Sequence, residues 1–282
     1  MDVMALTQEA IAPAVRAALA EDLGSGDVTS DTVLPAEQRC RATLLLKEPG
    51  VLAGLPVAEA VFTAVSSEIS FVRIACDGDW IDDVPATVAM IDGPARGVLA
   101  AERPALNLLG RLSGVATLTR RFVNAAEGTG AVILDTRKTT PGLRALERYA
   151  VRCGGGTNHR AGLWDAVLVK DNHLRLAGGI GPAVKRLRTI RPDLPVEVEV
   201  ETLDEAREAL AAGVNRLLLD NMTTPQLREV VAVVAGQVPT EASGGVSLTT
   251  VRDIAETGVD FVSVGALTHA ARSLDVSMEV LS

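Results

Sequence analysis

The runs AVILD (131–135), AVLVK (166–170), VEVEV (196–200), RLLLD (216–220), PTEAS (239–243) and DFVSV (260–264) recur through the second half of this 282-residue chain. Each is strand-length, and helix-like segments lie between several of them: 182–190, 204–212, 225–234 and 249–256. Strands alternating with helices predict βα units and a parallel sheet. The runs end at Asp135, Lys170, Val200, Asp220, Ser243 and Val264, with polar groups at or beside most of these ends. A β/α barrel gathers its strand C-termini into one mouth, whereas an open doubly wound sheet binds ligands only at a switch point. Polar groups at nearly every end therefore favour a barrel. The stretch of about 135 residues is short beside the about 250 of a full barrel, so six or seven strands are expected.

Outward from this core the texture changes. Between Cys40 and Ala95 the runs CRATLLLK (40–47), ISFVRIA (69–75) and PATVAMI (85–91) are separated by Pro49-Gly50, Asp77-Gly78 and Gly93-Pro94. They predict a small antiparallel sheet. Residues 1–23 read as an amphipathic helix rather than a signal peptide, since Asp2 and Glu9 stand where a basic leader would be needed. Residues 96–126 are helical in composition, with Pro104 expected to start a new helix after Glu102.

Composition narrows the function. Aromatic residues make up 2% of the chain, which argues against a base-stacking platform for nucleic acid, and the net charge of −9 argues against a phosphate-backbone binder. The most apolar stretch, Val51 to Val65, is broken by Pro56 and Glu59 and is too short to span a membrane. Cys40, Cys76 and Cys153 are odd in number and have no metal-ligand spacing, as expected of a reduced cytoplasmic protein. Between Asp135 and Arg175, however, eight basic residues face four acidic ones, a local excess of +4 inside an acidic chain. Such a window fits a small anionic ligand, or a set of solvated helix faces.

Within that window Thr136, Arg137 and Lys138 directly follow a strand. Arg137 can grip a carboxylate through its planar fork and Lys138 offers a compact charge for phosphate, unless the three form a mere basic turn. Gly154, Gly155 and Gly156 do not make a dinucleotide fingerprint. His159 and Arg160 follow, and hydrogen bonding to an anionic or pyridine-like substrate is favoured over metal binding for the histidine. Lys170 ends an apolar strand, so it faces a substrate anion, an electrophile as in Schiff-base lyases, or a structural partner such as Glu199 or Asp220. Glu197, Glu199 and Glu201 share one side of a strand by period-2 geometry. Glu199 and Asp220 can balance Lys138 and Lys170 or coordinate Mg2+ through water and phosphate oxygens. Ser243, Gly244 and Gly245, and then Val264, Gly265 and Ala266, follow the last two strands, where barrels bind phosphate through backbone N–H groups.

The ordered series DTRKTTPGLR, YAVRCGGGTNHR, VKDNH, VEVEVE, LLLDN, SGG and VGALTH resembles the quinolinate phosphoribosyltransferase family. EDLGSGDVTSD (21–31) and AERPALNLLGRLSGVAT (101–117) are similar to its N-terminal signatures, so the likeness runs from about Glu21 to His269. It implies an α/β fold: an N-terminal α/β sandwich over 1–112, a catalytic incomplete β/α barrel over 113–269, and a tail, 270–282, free to return to the first domain. It implies transfer of phosphoribose from phosphoribosyl pyrophosphate (PRPP) to quinolinate with Mg2+, giving nicotinate mononucleotide, pyrophosphate and CO2. It also implies a homodimer, a hexamer being left open, in which an arginine similar to Arg103 completes the partner's site. By the same resemblance Thr136, Arg137, His159, Arg160 and Lys170 would surround quinolinate. Lys138, Glu199 and Asp220 would meet the ribose, pyrophosphate and magnesium, and Ser243–Gly245, Val264–Ala266 and His269 the 5′-phosphate. Arg148 and Trp164 depart from the family's usual residues at their positions. Alternatives are a related transferase with another acceptor, such as nicotinate or that of the molybdenum-associated relatives, a Schiff-base lyase on Lys170, and a non-catalytic binding protein.

Overall fold

The computed structural model describes residues 6–281. In chain order its elements are α1 (Gln8–Leu23), α2 (Val28–Val33), β1 (Arg39–Leu46), β2 (Gly50–Val51), α3 (Leu55–Val65), β3 (Ser70–Arg73), β4 (Trp80–Ile81), β5 (Ala86–Pro94) and α4 (Ala95–Ala125). There follow β6 (Val132–Leu134), α5 (Arg144–Cys153), β7 (Val167–Val169), α6 (Asp171–Ala177), α7 (Ile180–Ile190), β8 (Val196–Val200) and α8 (Leu203–Ala211). The chain continues through β9 (Arg216–Asp220), α9 (Thr224–Val234), β10 (Thr240–Ser243), α10 (Val251–Ala255), β11 (Phe261–Ser263), α11 (Ala266–His269) and β12 (Val276–Leu281). The expected first helix begins at Gln8, and its first five residues, 1–5, lie outside the described part, as does Ser282.

Two compact units result. One takes the described part of Met1–Arg120, with Thr139–Gly155 and the described part of Leu267–Ser282; the other takes Arg121–Lys138 and Gly156–Ala266. α4 runs unbroken through position 112, and the first unit extends along it to Arg120.

The first unit holds an antiparallel sheet in the order β12-β1-β5-β3. β1 alternates in burial from Ala42 to Leu46, with Ala42, Leu44 and Leu46 facing a core that includes Val57, Val61 and Phe62 of α3. The tail enters this sheet as β12, with Ala42 opposite Val280. Pro104 does not start a helix. It sits inside α4, a single helix of 31 residues. The lost hydrogen bond and ring clash cost about 3 kcal/mol. Val98, Leu109, Leu112 and Val115 are fully buried along the same helix, and each such side chain is worth about 1.5–3 kcal/mol, so packing overrides the break. The same helix needs a glycine at 114, where a Cβ would lie 1.9 Å from the Arg272 carbonyl oxygen.

The second unit is the expected barrel, left open. Its six strands are all parallel, in the order β6-β11-β10-β9-β8-β7. Every residue of β8 is buried, and so are Leu217, Leu218 and Leu219 of β9, as strands covered on both faces require. Local signals set the helices between them. Thr202 accepts from the Glu205 N–H at 3.2 Å while Glu205 accepts from the Thr202 N–H at 3.2 Å, a reciprocal cap that starts α8. Thr223 and Gln226 play the same parts for α9, with Pro225 in its first turn. Among the described residues no helix is long and apolar enough to cross a membrane.

Candidate active site

The polar groups gather at the strand C-termini of the second unit. Asp135, one residue beyond β6, is fully buried; its carboxylate accepts the His159 N–H at 2.7 Å and the Asn158 side-chain amide at 2.7 Å. Its own N–H donates to the Thr157 carbonyl at 3.0 Å, so the segment carrying His159 and Arg160 is laced onto the end of β6. Asp135 stands out in the sequence as the polar end of its strand run; its burial is what marks its organising part.

Thr136 and Arg137 are half-buried and Lys138 is exposed, its N–H donating to the Thr136 hydroxyl at 3.1 Å. Burial and the nearby Arg137 guanidinium depress the Arg160 pKa, while Glu197 and Asp165 oppose this. Arg160 also donates to the Ala166 carbonyl at 3.2 Å, which fixes its head group. Two guanidiniums held within electrostatic reach of each other make a receptor for an anion.

Four charges meet around Asp220. Lys170, at the end of β7, donates to the Glu199 carboxylate of β8. Asp220, at the end of β9, has its pKa raised, first by burial and then by the Glu199 charge; the Ser243 hydroxyl, Lys170 and Lys138 pull it back. Lys138, Lys170 and Glu199 thus all act on Asp220. The structural partnership of Lys170 with Glu199, one of the readings its position allowed, is realised. The lysine side chain is 45% exposed and ion-paired, unlike the desolvated amine of a Schiff-base enzyme.

Oxygen donors for a divalent cation are also in place. Glu199 and Asp220 face one another closely enough for one charge to disfavour the other, and Asp220 is half-exposed, leaving room for water or phosphate oxygens. That donor set fits Mg2+. Glu201 does not join its neighbours: β8 stops at Val200, and Glu201 is exposed with its N–H donating to Glu205 at 2.7 Å, because the chain has turned into the cap of α8.

The loop after β10 is close-fitting. Asn221, with φ 53°, donates its N–H to the Ser243 carbonyl at 2.9 Å and its side-chain amide to Asp220 at 2.6 Å. Gly244, with φ +97°, has no space for a side chain, since a Cβ would lie 2.1 Å from the Asn221 Oδ1. After β11, the Val264 N–H donates to the Leu134 carbonyl at 2.9 Å, and Gly265 and Ala266 follow half-buried. Arg103 and His269 belong to the other unit. Arg103 is 62% exposed and lies 3.7 Å from Glu102; His269 is exposed at the end of α11.

Beneath the mouth lies a charged layer that the sequence reading missed. Arg216 pairs with Glu241 and lies 3.1 Å from Glu197, with its guanidinium 4.0 Å over the Phe261 ring. His159 Nε2 is 3.4 Å from both carboxylates. Burial raises the Glu241 pKa, but His159 and Arg216 outweigh it and hold it below the usual carboxylate range. Burial opposes a charge on His159, while Glu197 and Glu241 push its pKa up to about 9. Against that cation stands the Arg160 N–H, which donates to Nδ1 at 2.7 Å, a bond only an unprotonated Nδ1 accepts. Arg216 offsets one of the two carboxylate charges, and the imidazole turns its other nitrogen, Nε2, to the same pair. The ring therefore carries its proton on Nε2.

The chain is similar to known proteins over nearly its whole length. Residues 27–113 match the N-terminal domain of quinolinate phosphoribosyl transferase and residues 115–279 match its C-terminal domain. A Bacillus subtilis protein named as a probable nicotinate-nucleotide pyrophosphorylase (carboxylating) is 41% identical over 261 residues, covering 92% of this chain and 90% of its own. A chloroplastic nicotinate-nucleotide pyrophosphorylase (carboxylating) from Arabidopsis thaliana is 41% identical over 286 residues, covering 94% and 81%. Among solved structures, the nicotinate-nucleotide pyrophosphorylase of Francisella tularensis superposes with a TM-score of 0.94 at 37% identity, over 100% of this chain and 99% of that one. Matched domains in both halves, high identity over nearly the full length and a shared fold lead to one conclusion: the chain belongs to the quinolinate phosphoribosyltransferase family.

Proposed function

We propose that the chain joins quinolinate to PRPP and decarboxylates the product, releasing nicotinate mononucleotide, pyrophosphate and CO2 in NAD biosynthesis. The family membership supports this reading, and one observation carries it in the structure: Arg137 and Arg160 lie within electrostatic reach of each other, two guanidiniums suited to the two carboxylates of a dianion. Nicotinate, with one carboxylate, would leave part of that charge unanswered.

In this reading Arg137, Arg160 and Lys170 orient the two carboxylates of quinolinate, with Thr136 beside them, so that the ring nitrogen faces C1′ of PRPP. Holding two substrates in line is worth about 7–11 kcal/mol, and no covalent nucleophile is required. Glu199 and Asp220 stabilise positive charge at C1′ as the bond to pyrophosphate lengthens, and Lys138 meets the charge of the departing group. Glu199 and Asp220 are the residues that would hold Mg2+, which supplies charge neutralisation at the pyrophosphate oxygens. Ser243, Gly244, Gly245, Val264, Gly265 and Ala266, with His269, are assigned to the 5′-phosphate. A homodimer in which Arg103 serves the partner's site, and a cytoplasmic location, belong to the same proposal. The test is incubation of the protein with quinolinate, PRPP and Mg2+. Equimolar CO2 and nicotinate mononucleotide are expected; turnover of nicotinate in preference to quinolinate would overturn the acceptor assignment.

A further inference from the structure

The two nitrogens of the His159 ring are both engaged by the protein. Nε2 faces Glu197 and Glu241 at 3.4 Å each, and Nδ1 accepts the backbone N–H of Arg160 at 2.7 Å. His159 itself is held from behind, its own N–H bound to the buried Asp135. Glu197 and Glu241 are fixed in turn by Arg216, which bridges the two strands β8 and β10 from its place on β9. A bridge of named contacts therefore runs from the barrel interior to the main chain of Arg160: Arg216, the carboxylate pair, the imidazole, the peptide N–H. The three acid and histidine donors lie within 4.8 Å of one another, and the Arg216 guanidinium already lies against both carboxylates of the set.

We infer that His159 is a positioning residue, which sets the backbone of Arg160 at the mouth by tying it to Glu197, Glu241 and Arg216. The inference rests on the reading that Arg160 grips quinolinate. It changes the part expected of His159 from a substrate contact to a strut, and it brings Glu241 and Arg216, which touch no substrate, into the control of quinolinate affinity. The physical reason is directional. An arginine fork binds a carboxylate in two parallel hydrogen bonds only when its origin is fixed, and here the origin is a peptide unit held by one imidazole nitrogen.

The experiment is a double-mutant cycle on His159→Ala and Glu241→Gln, read as separate KM values for quinolinate and PRPP, with a thermal melt confirming that each variant is folded. Wild-type turnover is measured first: its absence would defeat the functional reading and leave the cycle without meaning, whereas turnover with the wrong cycle defeats only this inference. Each single variant is expected to raise the quinolinate KM about tenfold and the PRPP KM less than about twofold, and the double variant to be no worse than His159→Ala alone. An unchanged quinolinate KM in Glu241→Gln, or additive losses, would overturn it. Should His159→Ala fail to fold, 15N spectra of the wild-type histidines decide. The His159 Nδ1 resonance is expected to remain that of an unprotonated acceptor with and without quinolinate, and a large shift on quinolinate binding would show direct contact.

Discussion

Lys170 and Glu199 share a hydrogen-bonded ion pair at the C-terminal ends of two adjacent parallel strands, β7 and β8. The lysine thus has a partner in the protein and half of its surface turned outward to meet another anion. Lys170→Ala is expected to raise the quinolinate KM by about 10- to 100-fold, the about 1.5–3 kcal/mol typical of a lost charged hydrogen bond. The PRPP KM should move less. Steady-state kinetics with each substrate varied in turn will check this, and equal losses for both would place Lys170 with the PRPP groups instead.

Arg103 is exposed and has Glu102 as its ion-pair neighbour among the described residues. Arg103→Ala and Lys138→Ala should each abolish most turnover. If each site of a dimer takes Arg103 from one chain and Lys138 from the other, mixed dimers contain one site with neither substitution. Equal mixing after reversible dissociation should then restore about a quarter of wild-type activity. A mixture as inactive as its components would show that the two residues do not act across subunits.

The strand runs and the site residues at their ends were legible because parallel barrel strands are short and apolar and their chemistry sits in one register position, immediately after the last buried residue. Arg216 and Glu241 were not. Glu241 lies inside PTEAS, a run with weak strand character, and Arg216 opens RLLLD at the end of the strand away from the mouth. Their meeting depends on the lateral order of β8, β9 and β10, which brings Arg216 against Glu197 and, 25 positions on, Glu241. Pro104 misled for the opposite reason: its local signal is strong, and a buried helix face overrode it.

Gly244 carries positive φ and has the Asn221 amide where a side chain would be. Gly244→Ala must displace Asn221, which holds Asp220 and the carbonyl of Ser243 together. We expect a loss of about 1–3 kcal/mol in stability from the strained backbone, seen in a urea melt, and a PRPP KM raised further than the quinolinate KM. A variant with normal PRPP affinity would separate this loop from the phosphate.

Removing Mg2+ with a chelator should stop turnover without loosening the fold. Lys170 already neutralises Glu199 in the absence of an ion, so the site is not left with an unopposed pair of carboxylates. The melting temperature should stay within about 2 °C, which for a chain of this size is under about 1 kcal/mol. A larger fall on chelation would mean that an ion is part of the folded structure rather than of the substrate complex.

Arg111 and Glu147 supply the counterpart in the first unit. Glu147 is fully buried; Arg111 donates to its Oε1 at 2.7 and 3.1 Å, and Thr140 donates through its hydroxyl at 2.8 Å and its N–H at 3.0 Å. Arg111 also donates to the Ala271 carbonyl at 2.6 Å and to that of Thr268, tying α4 to the segment before β12. Arg111→Met keeps much of the packing volume but leaves a buried carboxylate without its cation, at a cost of about 3–5 kcal/mol. Glu147→Gln leaves a neutral amide that Arg111 and Thr140 can still partly satisfy, at about 1–3 kcal/mol. Urea unfolding of the two variants should therefore rank Arg111→Met as the less stable. The reverse order would mean that the bonds Arg111 makes to main-chain carbonyls contribute little, and that the carboxylate rests mainly on Thr140.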